Sequence, residues 1–257
     1  MLILVTNDDG IHSPGILSLA EALSTLGRVV VVAPDRERSA VGHALTLHAP
    51  LRADEIREGY IAVSGTPTDC VNLGIHGLLR ERPTLVVSGI NRGGNMGDDI
   101  TYSGTVSAAM EATLMGVPAF AISLNQGPFG HADFEPAAEV AVRLANTVLQ
   151  QGLPPDTFLN VNVPRGIPQG MSLTRQGKRR YDDVIVEKRD PRGRAYYWIG
   201  GGDMQFDDIP GTDLHAVNQG KVSVTPLHLD LTNYRSFEHL ATWPLDLSQN
   251  YTLDPES

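Results

Sequence analysis

The chain has 257 residues, 41% hydrophobic and 19% charged, with a formal net charge of −10 and one cysteine. That length carries a full α/β core. The acidic balance excludes a general binder of long nucleic acids, and a lone cysteine excludes an intrachain disulfide.

No apolar run approaches the length of a membrane span. The opening run, residues 2–5, is too short for a signal peptide, so the expected location is cytoplasmic with no membrane partner.

The first half alternates two textures. β-branched runs at 2–6, 29–33, 85–88 and 119–124 read as buried parallel strands. Helical spacing falls at 14–26, 66–79, 105–115 and 135–151. Ser13 is placed to cap the first helix, with Pro14 in its first turn and Gly27 past its end. This alternation predicts a doubly wound, mostly parallel sheet with helices on both faces. One insertion interrupts it: 46–53 and 60–64 read as a hairpin or paired edge strands. Cys70, inside T-D-C-V-N-L-G-I, reads as core rather than nucleophile.

The second half is less regular. Strands are expected at 158–163, 171–176 and 222–227, and a C-terminal helix at 234–241. Segments 183–189 and 195–199, joined by Asp190-Pro191-Arg192-Gly193, read as a hairpin arm. One domain is expected over 1–257, with a core at about 1–165 and 221–230 and two extensions, at about 178–200 and 231–257. The arm carries Lys178, Arg179, Arg180, Lys188, Arg189, Arg192 and Arg194 beside Tyr181, Tyr196, Tyr197 and Trp198. Basic and aromatic residues together suit nucleotide contact. Asp182, Asp183, Glu187 and Asp190 cancel much of the charge, which favours a solvated hairpin with an aromatic face for a partner subunit.

In open α/β sheets ligands sit beyond the carboxyl ends of the strands. Four polar clusters fall there: Asn7-Asp8-Asp9-Gly10, the stretch Ala33 to Ser39, the stretch Ser88 to Asn95, and Tyr102-Ser103-Gly104-Thr105. The first is made of turn residues. It also sets two repelling carboxylates side by side, which a cation or a proton between them would relieve. Gly10 permits a turn that aims both at one ion, so the two readings are compatible. The clusters offer carboxylate, hydroxyl and carboxamide oxygens, a set suited to Mg²⁺, Mn²⁺ or Ca²⁺ rather than structural Zn²⁺. Ser103-Gly104-Thr105 opens an Ala-rich helix and is a ready anion site. Gly93-Gly94-Asn95 adds backbone donors. A cation beside an anion site implies a phosphate ester.

The alternatives lack their parts. There is no G-x-x-x-x-G-K-[ST], no G-x-G-x-x-G after a strand and no G-x-S-x-G. An aspartyl-phosphate phosphatase needs two Asp two residues apart, and here the pairs are Asn7 with Asp9 or Asp8 with Gly10. A signalling receiver module needs an Asp ending its third strand. The strand ends at 64–65 and 88–91 do not begin with one, and Asp69 lies inside a predicted helix.

The clusters V-T-N-D-D-G-I, A-P-D-R-E-R-S, V-S-G-I-N-R-G-G-N-M-G and Y-S-G-T-V-S-A-A-M-E resemble those of the SurE family, stationary-phase survival proteins that are 5′/3′-nucleotidases. The resemblance runs from Met1 through T-D-L-H-A-V-N-Q-G-K-V-S-V-T-P-L. It implies a Rossmann-like three-layer α/β/α core with a mostly parallel sheet, and a C-terminal hairpin and helix extension used to build a homodimer or homotetramer. It implies metal-dependent hydrolysis of nucleoside 5′- and 3′-monophosphates, with short-chain polyphosphate a further substrate of some members, and one divalent ion per subunit, Mg²⁺ or Mn²⁺. By motif, Asp8, Asp9, Ser39 and Asn91 would hold the metal, and Asn95, Ser103, Gly104 and Thr105 the phosphate. Asp8, Asp9 and Asn95 would carry the catalysis, a direct attack by activated water. The chain departs from many members at Ala40-Val41-Gly42-His43, where they have a Gly/Ser-rich stretch. A lone His such as His43 is more often structural than functional.

Overall fold

Alternation along the first strand, β1 (Leu2–Thr6), sets the architecture: Leu2 and Leu4 face one layer while Ile3 and Val5 face the other, and all are buried. A strand buried on both faces needs helices on both sides. The computed structural model, which describes residues 1–180, 185–199 and 205–245, supplies them. After β1 come α1 (Pro14–Leu23), β2 (Arg28–Pro34), β3 (Ala53–Arg57), β4 (Tyr60–Val63), α2 (Pro67–Leu73), β5 (Leu85–Arg92), α3 (Gly104–Leu114), β6 (Ala119–Leu124), α4 (Glu135–Gln151) and β7 (Thr157–Val163). Then follow β8 (Met171–Leu173), β9 (Arg179–Arg180), β10 (Ile185–Arg189), β11 (Ala195–Ile199), β12 (Gln205–Phe206), α5 (Asp213–Asn218), β13 (Val222–His228) and α6 (Phe237–Leu240).

The central sheet has nine strands in the order β3-β4-β2-β1-β5-β6-β7-β13-β8. The run from β4 to β7 is parallel. β3 joins antiparallel to β4, β13 antiparallel to β7, and β8 parallel to β13. Ile16, Leu19 and Leu23 of α1 and Ala137 and Ala141 of α4 pack with Phe134 on Ile3, Val5, Val87 and Phe120. Cys70 and Val71 of α2 and Val106, Ala109 and Ala112 of α3 pack on Leu2, Leu4, Val86 and Ala121. Each such Leu, Ile, Val or Phe contributes about 1.5–3 kcal/mol when fully buried. The three layers expected from the sequence are present, and Cys70 is core.

Four expectations need correction. The strand predicted at 46–53 begins only at Ala53. Upstream, the Thr46 backbone N–H and hydroxyl both donate to Asp69, at 2.8 and 2.6 Å, and Thr66 donates to the Ala44 carbonyl at 2.7 Å, so this segment is tied to the start of α2 and not to a strand. The helix predicted over 14–26 stops at Leu23, because the Ser24 and Thr25 hydroxyls turn back onto the Glu21 and Ala22 carbonyls. The helix predicted over 66–79 is α2 followed by one π turn, Gly74–Leu78. The strand predicted at 171–176 ends at Leu173.

The arm is present as β10 paired antiparallel with β11, Ile185 opposite Ile199 and Glu187 opposite Tyr197, in a separate two-stranded sheet. Tyr181, Asp182 and Asp183, the side chains of Arg179 and Arg180, and residues 246–257 lie outside the described residues. Among the described residues no helix is long and apolar enough to cross a membrane.

Candidate active site

β1 lies between β2 and β5, the point where the winding of the sheet reverses, and a crevice opens beyond its carboxyl end. There the Asn7 amide donates to the Gly10 carbonyl at 3.0 Å and to Ser13 Oγ at 2.8 Å, closing the turn. Ser13 stands at the N-cap of α1 as expected, but its side chain caps no backbone N–H. Gly10 has φ +92°, and a Cβ on it would fall 3.0 Å from the Arg36 backbone carbon. No other residue meets both demands cheaply. The turn thereby rests on the loop after β2, and Arg38 N donates to the Asp8 carbonyl at 2.7 Å.

This turn drives Asp8 inward to 7% exposure against the first turn of α3. Thr105 Oγ1 donates to Asp8 Oδ1 at 2.5 Å, joined by the Thr105 backbone N–H. A Cβ on Gly104 would fall 3.0 Å from Asp8 Cβ, so only glycine lets helix and carboxylate approach this closely. Burial pushes the Asp8 pKa from 3.8 to about 6, the bonds from Thr105 opposing and the charge of Asp9 adding to the rise.

Asp9 faces a different partner. Its Oδ1 accepts from Arg92 Nε at 2.8 Å and its Oδ2 from the Arg92 backbone N–H at 3.0 Å. Arg92 Nη2 donates to Glu37 Oε2 at 3.2 Å, and Ser39 Oγ donates to Glu37 Oε1 at 2.7 Å. The Asn91 amide nitrogen donates to the Gly93 carbonyl at 2.8 Å, leaving Oδ1 as its ligand-type atom.

Asn95 is held in a cradle. Its backbone N–H donates to Asn162 Oδ1 at 2.8 Å. Its carbonyl accepts from the side-chain amides of Asn160 at 2.8 Å and Asn162 at 3.0 Å, and its own Nδ2 donates to Ser123 Oγ at 2.8 Å.

Asp8, Asp9, Ser39, Asn91, Asn95 and Ser103 all line one cleft of about 770 Å³. Gly104 and Thr105 stand behind Asp8, and the Thr105 hydroxyl is spent on that carboxylate. The lining holds four carboxylates, Asp8, Asp9, Glu37 and Asp99, against one guanidinium, Arg92. Among the described residues no three His, Cys, Asp or Glu side chains converge on a point, so an ion here would rely on two carboxylates and the neutral oxygens of Ser39 and Asn91. His43 lies outside this lining; its Nε2 is 2.7 Å from Glu111 Oε2, a contact that lowers the Glu111 pKa.

Sequence reasoning passed over Arg92 and Glu37 inside quoted motifs, and Ser123, Asn160 and Asn162 outside them. The last two carried a signal. In T-F-L-N-V-N-V the polar residues sit two apart, on one face of an otherwise apolar strand.

The family model for Survival protein SurE matches residues 3–183. A protein of Syntrophotalea carbinolica named 5′-nucleotidase SurE is 66% identical over 254 residues, covering 99% of this chain and all of its own. One of the same name from Geobacter sulfurreducens is 66% identical over 249 residues, covering 95% of this chain and 94% of its own. The crystal structure of SurE protein from Aquifex aeolicus superposes with a TM-score of 0.84 at 48% identity, covering 93% of this chain and 98% of that one. Fold, cleft and similarity along the whole length agree, and the chain belongs to the SurE family.

Proposed function

We propose that this chain hydrolyses nucleoside 5′-monophosphates to nucleoside and phosphate, as the name carried by its relatives describes. The proposal extends to nucleoside 3′-monophosphates and short-chain polyphosphate, and to a divalent cation, Mg²⁺ or Mn²⁺, one per subunit. The observation that carries it is Asp8: a carboxylate buried to 7% exposure, pushed to a pKa of about 6, at the wall of a cleft with an excess of negative charge. Such a group calls for a positive partner. The oxygens of Asp8, Asp9, Ser39 and Asn91 fit a hard cation. At such a donor set a divalent ion supplies charge neutralisation on a phosphoryl oxygen and activation of water.

The chain's own residues supply the rest. Ser103 Oγ accepts from Val106 N at 3.1 Å as the N-cap of α3, which leaves its hydroxyl proton for a phosphate oxygen. The partial positive charge of the helix N-terminus acts in the same place. Asn95 keeps one amide proton after its bond to Ser123, and the cradle beneath it fixes where that proton points. Thr105 acts through Asp8. Asn7, two residues before Asp9, ties the turn with its amide and offers no carboxylate to attack phosphorus. The transfer is therefore direct to water, in line with the departing ribose oxygen. The working form is a cytoplasmic homodimer or homotetramer joined through the arm and the C-terminal segment.

The test is phosphate release from a panel of nucleoside monophosphates with Mg²⁺, Mn²⁺ or EDTA, for wild type and Asp8→Asn. Release that needs metal and collapses in the variant supports the reading. Release that survives both EDTA and Asp8→Asn ends it.

A further inference from the structure

Two of the proposed metal-ligating side chains, Asp9 and Ser39, sit on different loops, yet one chain of bonds joins them. It runs from Asp9 Oδ1 to Arg92 Nε at 2.8 Å, from Arg92 Nη2 to Glu37 Oε2 at 3.2 Å, and from Glu37 Oε1 to Ser39 Oγ at 2.7 Å. The Arg92 backbone N–H secures the other Asp9 oxygen at 3.0 Å. Every donor in this chain is spent on a carboxylate oxygen. Ser39 gives its only proton to Glu37 and keeps its lone pairs; each Asp9 oxygen accepts one N–H and keeps further acceptor capacity.

We propose that Arg92 and Glu37 are positioning residues that aim Asp9 and Ser39 at a common divalent ion, an inference that rests on the metal reading above. Partners that orient ligating side chains cost about 10–100-fold in metal affinity or activity when removed. Asp9 is 6% exposed at its side chain, so its orientation depends on what it bonds. The Arg92–Glu37 pair, with side chains 37% and 57% exposed, adds little to folding. The Arg92–Asp9 pair is more buried, so binding and stability separate most cleanly in the Glu37 variant.

The experiment is calorimetric titration of the EDTA-stripped full chain with Mn²⁺ alone, for wild type, Arg92→Gln, Glu37→Gln and the double variant, with the melting temperature of each in EDTA. Arg92→Gln is expected to weaken Mn²⁺ binding at least tenfold and to lower metal-free melting, because Asp9 loses its guanidinium; Glu37→Gln is expected to weaken binding less, with little change in melting. The double variant is expected to lose less than the product of the two singles, because both act along one chain. Mn²⁺ affinity within twofold of wild type in folded Arg92→Gln overturns the inference while leaving the metal reading standing. A wild type that binds no Mn²⁺ removes both. If Arg92→Gln does not fold, Glu37→Gln carries the same test, and unchanged Mn²⁺ affinity there overturns the inference.

Discussion

Thr105, in the first turn of α3, donates its hydroxyl to Asp8 at the end of β1 over 2.5 Å, a contact between residues 97 positions apart. It pins a helix N-terminus to a strand terminus. The carboxylate is thereby both buried and aimed, and those two properties pull its energetics in opposite directions.

The first consequence is a stability cost. The folded-state pKa of Asp8, about 6, lies above its ordinary 3.8. The stabilising influence of a raised carboxyl pKa is complete below the lower value and is lost as pH rises through the higher one. In EDTA, wild type is expected to lose about 2 kcal/mol from this group between pH 4 and pH 8. Asp8→Asn keeps the shape without the titration. Urea unfolding should find it more stable than wild type at pH 8 and no better at pH 4, while its hydrolysis is abolished. Equal stability of the two proteins at pH 8 contradicts the assignment.

Gly104→Ala tests the closeness of helix and carboxylate. Its Cβ would stand 3.0 Å from Asp8 Cβ and 3.1 Å from the Pro67 ring. Overpacking of this kind costs about 1–3 kcal/mol, and a displaced reacting group costs roughly tenfold to a hundredfold in rate. Denaturation and kcat with Mn²⁺ should both register the change; a variant with wild-type kcat would show that Asp8 tolerates the shift.

Asn162→Ala removes the acceptor for the Asn95 backbone N–H and one of the donors to its carbonyl. A buried group left without its partner costs about 1–3 kcal/mol. Since Asn95 loses its fixed orientation too, kcat is expected to fall more than KM rises. Steady-state kinetics on a folded variant decide it, and an unchanged kcat would limit the cradle to a structural part.

The arm exposes Ile185, Tyr197, Trp198 and Ile199 at 65%, 60%, 61% and 94%. Deleting residues 180–200 is expected to lower the mass measured by light scattering. The same mass with and without the arm would show that assembly runs elsewhere.

Features set by local chemistry were legible in the sequence. Asp8-Asp9-Gly10 announced its turn, Ser103-Gly104-Thr105 the start of its helix and the β-branched runs their burial, because each depends on neighbours within a few residues. Features set by partners far away were not. Nothing near Thr46 says that Asp69 will take both its donors, and nothing near Arg92 says that it will clasp Asp9 across 83 residues. Thr105 read as a phosphate donor because its own surroundings are those of an anion site. Only the closing of the fold shows its hydroxyl committed to Asp8. Asn160 and Asn162 sat in plain view on one face of a strand, but the residue they serve lies 65 and 67 positions away.

The two rims of the sheet bear on how the protein behaves when crowded. β3 is exposed along its whole length, carries Asp54, Glu55 and Arg57, and breaks register between Glu55 and Arg57. The opposite rim, β8, is only three residues long. Charge, a bulge and brevity deny a neighbouring copy the long flat row of open N–H and C=O groups on which strands add and fibrils grow. Among the described residues the sheet thus ends at nine strands, with rims that offer poor ground for a further strand.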